Sequence, residues 1–396
     1  MNIWKQILAV TTLNLLSLAQ RVATSSVVVI GVAGVVGVLI SVLAMATGLT
    51  GTLLDTGNPA RAIVLRTAAN NESFSNIDLA WAATIADAPG VRRGPDGKPA
   101  ESPEAVASAN LHRRADDSEA GLTLRGVTEG AFIVHPEWQI VAGRTFKPGL
   151  REIVVGIASA AEFKGLGLGD HVTMGDAEWT VVGHFTGHGD AHESDALADA
   201  RTLMSATNRG AYNAVTVLLN SPDSFAAFKS WLTSNPSLSV DVQRESDYYK
   251  QQSQGIARLL YLVSVVVGAI MAVGALFTAL NTMYSAVSVR TSEIATLRAI
   301  GFGSIGVIVS VLAEALLLSV IGALIGASVA WLLFNGNAIS TAGGAGPDSQ
   351  IVFKLRVAPG LVVLGIVWAC AIGLLGGLLP AIRAARLPVA TALRPV

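Results

Sequence analysis

Four long apolar runs constrain this chain more than any other feature of its sequence. They occupy residues 27–49, 256–285, 305–334 and 358–379, and a long polar stretch separates the first run from the other three. A helix needs about 20 residues to cross roughly 30 Å of hydrocarbon, and each run is long enough. The sequence therefore predicts four membrane spans, with a folded domain exported between the first and the second.

The composition agrees with a membrane protein and excludes some other classes. Hydrophobic residues make up 52% of the chain and charged residues 14%, whereas a soluble domain carries about 25% charge. The net charge of −1 argues against a nucleic-acid-binding protein, which needs a basic face. With Cys370 as the one cysteine, no disulfide within the chain can form, so the exported domain must depend on its own core.

Basic residues near the spans predict the orientation of the chain. Short cytoplasmic segments carry an excess of Lys and Arg, and such residues occur before the first span, between the second and third, and after the fourth. They are Lys5, Arg21, Arg290, Arg298, Arg383, Arg386 and Arg394. The rule is not obeyed everywhere, because Lys354 and Arg356 precede the fourth span. We expect both termini in the cytoplasm, as an even number of spans requires.

These observations divide the chain into nine segments. Residues 1–24, with Trp4 and Lys5, predict an amphipathic cytoplasmic helix. The segments are a cytoplasmic helix 1–24, transmembrane helices 25–50, 254–285, 305–334 and 358–380, an exported domain 51–253, a cytoplasmic coupling segment 286–304, a short exported loop 335–357 and a cytoplasmic tail 381–396.

The exported domain has the patterns of both strands and helices. Short β-branched runs predict strands at 62–66, 122–127, 152–155 and 215–219, and a hairpin joins 171–174 to 178–185. Helices are predicted at 76–88 and 196–207, and one begins at Ser221-Pro222-Asp223, where a Ser N-cap precedes Pro. Residues 92–102 are rich in Gly, Pro and charge and predict a loop. The domain is therefore expected to be α+β.

Small residues in the spans predict close helix packing. Glycines three or four positions apart on one helix face let helix backbones approach each other in lipid. Such pairs are Gly31 and Gly34 in the first span, Gly322 and Gly326 in the third, and Gly373 and Gly377 in the fourth.

Two motifs in the C-terminal half carry a family resemblance. The segment 289–302 reads VRTSEIATLRAIGF between the second and third spans, and the chain ends with PAIRAARLPVATALR at 380–394. In the exported domain, Val181-Val182-Gly183 is followed by a Gly-rich loop and Glu193-Ser194. In combination these motifs resemble the permeases of the FtsX/MacB superfamily of ABC systems, over nearly the whole chain.

The resemblance implies a fold and a mechanism. It implies a multi-pass protein of the bacterial inner membrane, with a MacB-type periplasmic core domain between the first two helices. It also implies that ATP hydrolysis in cytoplasmic subunits drives movement of the periplasmic domain. The chain lacks the pattern G-x-x-x-x-G-K-[ST], and the nearest string at 94–99 has the wrong spacing. We therefore expect no cofactor in this chain, with ATP and Mg held by a partner ATPase.

The coupling segment contains the residues expected to contact that ATPase. Arg290 and Glu293 are three positions apart and share a helix face, and Gly301 is expected to end the helix. The predicted contact residues are Arg290, Glu293, Ile294, Leu297, Arg298, Ile300 and Gly301. The alternative is a solvated loop that merely follows the positive-inside rule.

Glu314 lies within the third span, where a carboxylate is costly and is a candidate for function. It can hydrogen-bond a neighbouring helix or act in a proton relay. Because ATP already supplies the energy, the sequence favours the structural role.

His184, His188 and His192 are four positions apart, a spacing that could place metal ligands on one helix face. Gly187 and Gly189 interrupt them and favour a loop instead. The sequence therefore favours a loop over a metal site. It also contains no nucleophile elbow that would indicate an enzyme.

The predicted function is that of a permease subunit that drives efflux or extrusion of a substrate from the periplasmic side. Its expected partners are an ABC ATPase, a second permease copy or a homologue, and membrane lipid, with a periplasmic adaptor and an outer-membrane channel as further candidates. One alternative is a mechanotransducer that activates a cell-wall hydrolase or a sensor kinase. Another is a lipoprotein-releasing permease.

Overall fold

The computed structural model describes residues 11–12, 22–94, 97–174, 177–342 and 349–386. The chain divides into two compact units. The helical unit comprises Met1–Thr47, Ala257–Asn337 and Leu355–Val396, and the sheet unit comprises Gly48–Ile256 and Ala338–Lys354. Apart from residues 11–12 and 22–24, the predicted amphipathic helix lies outside the described residues, as do the closing motif beyond Arg386 and the turn residues 175–176.

Helices form most of the described part of the helical unit and part of the sheet unit. They are α1 Val22–Thr56, α2 Leu79–Ala86, α3 Ala131–Val134, α4 Ile157–Glu162, α5 Ala200–Ala206, α6 Phe225–Ser234, α7 Glu245–Val289, α8 Thr291–Ala299, α9 Ser304–Phe334 and α10 Pro359–Ala385. Short 3₁₀ helices occur at Glu72–Phe74, Ala191–Ser194 and Pro222–Ser224.

Four of these helices are long and apolar enough to cross a membrane: α1, α7, α9 and α10. Helix α7 is 45 residues long and begins well before the predicted second span. Helix α10 begins with Pro359, whose fixed φ suits the first helical turn. The four predicted spans are thus present as helices, and α1, α7 and α10 extend beyond the predicted bounds.

Several predicted packing glycines lie where the helix backbones meet. A Cβ on Gly322 would lie 2.7 Å from the Val29 carbonyl oxygen, and one on Gly326 would clash with the Ala33 carbonyl, so α9 lies directly against α1. The same holds for α10 against α9, because a Cβ on Gly377 would lie 2.8 Å from the Ala315 methyl group.

The other three predicted glycines differ in their surroundings. A Cβ on Gly373 would clash with the Ser319 hydroxyl, so this glycine also lies at the contact between α10 and α9. Gly31 has a distant neighbour, the Thr278 methyl group at 4.0 Å, and Gly34 has open space around it. The pattern in the first span therefore indicates only part of the packing surface.

The sheet unit is built on one large mixed sheet. Its strands are β1 Arg61–Arg66, β2 Glu101–His112, β3 Glu119–Val127, β4 Gln139–Gly143, β5 Glu152–Gly156, β6 His171–Met174, β7 Ala177–Thr186, β8 Asp195–Asp199, β9 Ala214–Leu218 and β10 Val240–Arg244. The strand order is β10-β1-β9-β2-β3-β8-β5-β7-β4, and β6 pairs with β7.

Strand β2 joins the two halves of this sheet. Its first residues pair with β9 and its later residues pair with β3, both in antiparallel register. Pairs β3–β8 and β5–β7 are parallel. The main core contains Trp179, Phe163 and Phe228, all buried, which fix helices against the sheet.

The four predicted strands coincide with β1, β3, β5 and β9, and the predicted hairpin is β6–β7. The predicted helix at 196–207 is wrong in its first part. Residues Asp195–Asp199 form β8, which pairs with β3 on one side and β5 on the other. Sheet pairing overrides the helical preference of its Ala and Leu residues. Asp199 then caps α5 by accepting a bond from the Thr202 amide at 3.0 Å.

The connection between α9 and α10, predicted only as a short loop, contains an antiparallel hairpin. Its strands are β11 Ala338–Ala342 and β12 Gln350–Lys354. The hairpin belongs to the sheet unit. The Ser340 hydroxyl donates to Glu162 at 2.8 Å, and Arg113 donates to Gln350.

The predicted fold class is confirmed: an α-helical membrane protein with an α+β domain between its first two long helices.

Candidate coupling site

Helix α8 is a short helix between two of the long ones. It follows α7 directly, with Arg290 as its N-cap residue and Ile300 as its C-cap residue. Gly301 has a φ of +101°. Its amide donates to the Arg298 carbonyl, and the Phe302 amide donates to the Leu297 carbonyl, both at 3.1 Å. These two bonds and the left-handed glycine form a Schellman end, so the helix ends where the glycine permits the chain to turn.

One side of α8 is fixed to the helical unit. Ile294 and Ala295 are buried. Ile294 belongs to an apolar cluster with Val287 of α7, Val307 and Val311 of α9, and Ala381 and Ala384 of α10. The Ile294 side chain, predicted to contact the ATPase, therefore holds α8 in place and does not face outwards.

The opposite side of α8 carries an exposed face of mixed character, which we call the docking face. It consists of Ser292, Glu293 and Thr296 of α8 together with the residues at its two ends, Val289 of α7 and the C-cap residue Ile300. Val289 is 77% exposed and Ile300 is 71% exposed. Within α8, Ser292 and Thr296 are four positions apart and Glu293 and Thr296 three apart, so these side chains lie along one side of the helix. Large apolar side chains beside a carboxylate are suited to a protein contact. Leu297 and Arg298 are half-buried at its margin.

Arg290 connects the docking face to the inside of the helical unit. Its Nε lies 3.2 Å from a carboxylate oxygen of Glu293, and its Nη1 lies 3.3 Å from a carboxylate oxygen of Glu314. The Arg290 side chain is 13% exposed and that of Glu314 is 6% exposed. The structure thus brings together three predicted site residues, and it places Glu314 in a bond to another helical element.

The three histidines do not come together. His184 lies on β7 and its Nε2 is 2.8 Å from the Leu166 carbonyl oxygen. His188 is exposed, with a φ of +58°. His192 is buried in the 3₁₀ helix, 3.0 Å from the Tyr249 hydroxyl. In the part of the chain that the structure describes, no group of three His, Cys, Asp or Glu side chains could hold a metal.

Two buried arginines organise the polar interior of the sheet unit, and sequence reasoning missed both. Arg125 on β3 pairs with Glu72, Glu104 and Asp195 at 2.8, 2.5 and 2.8 Å. Burial of the guanidinium opposes its charge, but these carboxylates outweigh that effect and raise the pKa of Arg125. The signal available in the sequence was a charged residue inside an apolar strand pattern. Such a residue predicts carboxylates nearby, because a buried charge needs partners.

Arg61 on β1 is the second of these arginines. It donates to Glu245 and to Glu137, both at 2.5 Å. Burial acts against ionisation of Glu137, but the bond to His135 and the charge of Arg61 outweigh it and lower the pKa of Glu137 to about 2. His135 itself is fully buried, and this burial lowers its pKa to about 3. The beginning of α7 is thereby bonded to β1 of the sheet.

Sequence comparisons with known proteins agree with this architecture. The family profile of the MacB-like periplasmic core domain matches residues 22–235, more than half of the chain. The profile of the FtsX-like permease C-terminal region matches residues 265–389. The first match covers α1 and most of the sheet unit, and the second covers α8 and the helices around it.

Similar proteins include one curated relative and several solved domains. An uncharacterised ABC transporter permease, YknZ of Bacillus subtilis, is 25% identical over 308 residues, which is 73% of this chain and 74% of the relative. The extracellular domain of YknZ from Gram-positive bacteria aligns with a TM-score of 0.36 and 18% identity, covering 46% of this chain and 99% of the domain.

A second similar structure is the periplasmic region of MacB from Actinobacillus actinomycetemcomitans. It aligns with a TM-score of 0.38 and 16% identity, covering 50% of this chain and 93% of that region. The two profile matches, in their order along the chain and with four membrane-length helices, show that this chain belongs to the FtsX/MacB-like ABC transporter permeases.

Proposed function

We propose that this permease couples ATP hydrolysis by a separate cytoplasmic ATPase to movement of its periplasmic domain. The proposal places the protein in the inner membrane with both termini in the cytoplasm. ATP and Mg would be bound by the ATPase. Two copies of the chain, or one copy and a homologue, would form the membrane part of the transporter. The use that we favour is extrusion of a substrate from the periplasmic side.

The docking face is the main observation that supports this proposal. Val289 and Ile300 are exposed at the two ends of α8, a helix whose other side is anchored by Ile294. A surface that moves with its helix, and not independently of it, can pass a displacement on to α7 and α9. Arg290 strengthens this connection because it bonds both Glu293 on the docking face and Glu314 on α9.

Affinity purification of the tagged chain in mild detergent, followed by mass spectrometry, tests the proposal. We expect an ABC ATPase to co-purify with the wild-type chain. We expect Ile300→Asp to abolish this association, because it places a charge in the apolar part of the contact. Val141→Asp is the matched control, since Val141 is also an exposed apolar residue, 55% exposed, but lies on β4 of the sheet unit.

The proteins that accompany the ATPase decide between the possible uses. A periplasmic adaptor or an outer-membrane channel supports extrusion. A cell-wall hydrolase or a sensor kinase would instead support a regulatory mechanotransducer, and a lipoprotein would support lipoprotein release. Recovery of no ATPase, even with a non-hydrolysable nucleotide present, would contradict the proposal.

A further inference from the structure

The 3₁₀ helix Ala191–Ser194, here called the node helix, bonds to every chain segment by which the sheet unit is joined to the membrane helices. These segments are the end of α1, the beginning of α7 and the hairpin between α9 and α10. From this geometry we propose that the node helix couples the three segments, so that a displacement of one changes the other two. Its role in transport rests on the proposed function, whereas the coupling itself does not.

The end of α1 is bonded to the first residue of the node helix. Thr56 is the last residue of α1, and its hydroxyl oxygen accepts a hydrogen bond from the Ala191 amide at 2.8 Å. The same hydroxyl donates to the Thr52 carbonyl at 2.8 Å. Thr56 is 2% exposed. The bond therefore continues the hydrogen bonding of α1 directly into the node helix.

The beginning of α7 is bonded to the second residue. The Tyr249 hydroxyl lies 3.0 Å from Nε2 of His192, and both side chains are buried. The two rings also contact edge to face, with centroids 5.9 Å apart. Tyr249 lies in the second turn of α7, the helix that continues without interruption into the helical unit.

The hairpin is bonded to the last residue. The Ser194 hydroxyl oxygen accepts from the Val352 amide of β12 at 2.9 Å, and it lies 3.4 Å from the Val352 carbonyl oxygen. Ser194 is 1% exposed. Strand β12 leads after a few residues into α10. Three residues of one short helix thus each hold a different segment.

The node helix is itself fixed in the sheet unit. The Ser159 hydroxyl of α4 donates to the Ser194 carbonyl at 2.6 Å. Asp190 caps the node helix by accepting from the Glu193 amide at 3.1 Å, and it also accepts from the Trp138 indole at 3.1 Å. Gly156 leaves no room for a Cβ beside the Glu193 backbone. The node helix is therefore packed from several sides.

The end of α1 also touches the other two segments. A Cβ on Gly57 would lie 2.5 Å from the Ser246 Cα, so the chain leaving α1 lies against the start of α7. A Cβ on Gly48 would lie 3.2 Å from the Phe353 ring, so α1 also lies against β12. Because buried polar atoms are costly to leave without a partner, a segment that moves is expected to take the node helix with it.

Hydrogen exchange of the full-length chain in lipid nanodiscs, read by mass spectrometry, tests this coupling without any ATPase. Tyr249→Phe removes the bond between α7 and the node helix and leaves the bonds of the other two segments in place. We expect it to raise exchange at β12 and at the end of α1 by about two- to tenfold, the range that loss of one hydrogen bond allows. Ser194→Ala removes the bond to the hairpin and is expected to raise exchange at the beginning of α7, because coupling between sites is reciprocal.

Two controls separate coupling from local loosening. Tyr248→Phe removes a hydroxyl from the neighbouring residue of α7, which is equally buried. Ser340→Ala removes another bond of the hairpin, the one to Glu162. We expect both controls to change exchange only in their own segment. If Tyr249→Phe or Ser194→Ala raises exchange throughout the sheet, including β3 and β9, a third variant replaces it. Thr56→Val removes the bond between α1 and the node helix and provides the same test from the α1 side.

The proposal would be overturned if each of Tyr249→Phe, Ser194→Ala and Thr56→Val raised exchange only in the segment that lost its bond. This result would leave the ATPase association untouched. Conversely, failure to recover an ATPase would leave the exchange measurements valid. The two proposals can therefore fail separately.

Discussion

Replacing Arg290 with Met is expected to destabilise the helical unit much more than replacing Glu314 with Leu. The two side chains are 3.3 Å apart and are 13% and 6% exposed. Arg290 also has a second carboxylate close by, that of Glu293, which is 58% exposed. Loss of Glu314 therefore leaves the guanidinium beside another anion near water. Loss of Arg290 removes both ion pairs and takes the guanidinium charge away from Glu314, whose side chain is only 6% exposed.

The magnitudes follow from this asymmetry. At 3.3 Å and an effective dielectric constant of about 20, the attraction is about 5 kcal/mol before the cost of desolvation. Removing one partner of a buried pair costs about 3–5 kcal/mol, whereas replacing both by apolar groups is often close to neutral. We expect a loss of about 3 kcal/mol for Arg290→Met and about 1 kcal/mol for Glu314→Leu. The double variant should lose less than their sum, by about 2 kcal/mol.

The assay is reversible unfolding of the purified chain in mixed detergent micelles, with helix content followed by circular dichroism. The wild type, both single variants and the double variant form one double-mutant cycle. Ser292→Ala, an exposed substitution on the same face, controls for general effects on α8. Equal losses for the two single variants, or losses that simply add, would refute the reasoning.

Three further predictions concern packing and pH. Gly326→Ala should cost about 2 kcal/mol because its methyl group would overlap the α1 backbone, whereas Gly34→Ala, with open space around it, should change the unfolding free energy in the same assay by less than about 0.5 kcal/mol. Burial raises the pKa of Glu101 to about 7, so the folded state holds its proton longer and stability falls as pH rises from about 4.5 to 7. Glu101→Gln should flatten this slope in thermal unfolding and stabilise the chain at pH 8 by about 1 kcal/mol, after allowance for its partial exposure. Burial lowers the pKa of His135 to about 3, so stability is lost as pH falls below about 6.5, by about 2 kcal/mol at pH 5. His135→Phe keeps a ring against Trp138 and should lose that slope, and pH profiles parallel to the wild type would contradict both assignments.

The sequence predicts the membrane helices well because their length is set by the bilayer. A run of apolar residues long enough to span hydrocarbon has few other uses, so α1, α7, α9 and α10 can be read directly from the sequence. The strands of the exported domain are also visible where β-branched residues are frequent. Strand β8 is not visible, because its residues, DALAD, have no β-branched member and owe their conformation to pairing with β3 and β5.

The candidate site is only partly contained in local sequence. The motif around α8 marks the helix and its glycine end, but it does not tell which side faces outwards. Burial of Ile294 against Val307 and Ala381 decides that question, and these contacts join residues far apart in the chain. The Arg290–Glu314 bond is of the same kind. Sequence reasoning expected a bond for Glu314 but had no means of naming its partner.

The docking face and the node helix are expected to fail in different ways in the complete transporter. Ile300→Asp should lose the ATPase, so no nucleotide effect on the permease remains. Tyr249→Phe should retain the ATPase and the nucleotide-dependent protection of α8, because it alters only a bond inside the sheet unit. It should lose the nucleotide-dependent change in hydrogen exchange at β12. A Tyr249→Phe transporter with an unaltered response at β12 would show that ATP-driven movement reaches the hairpin without the node helix.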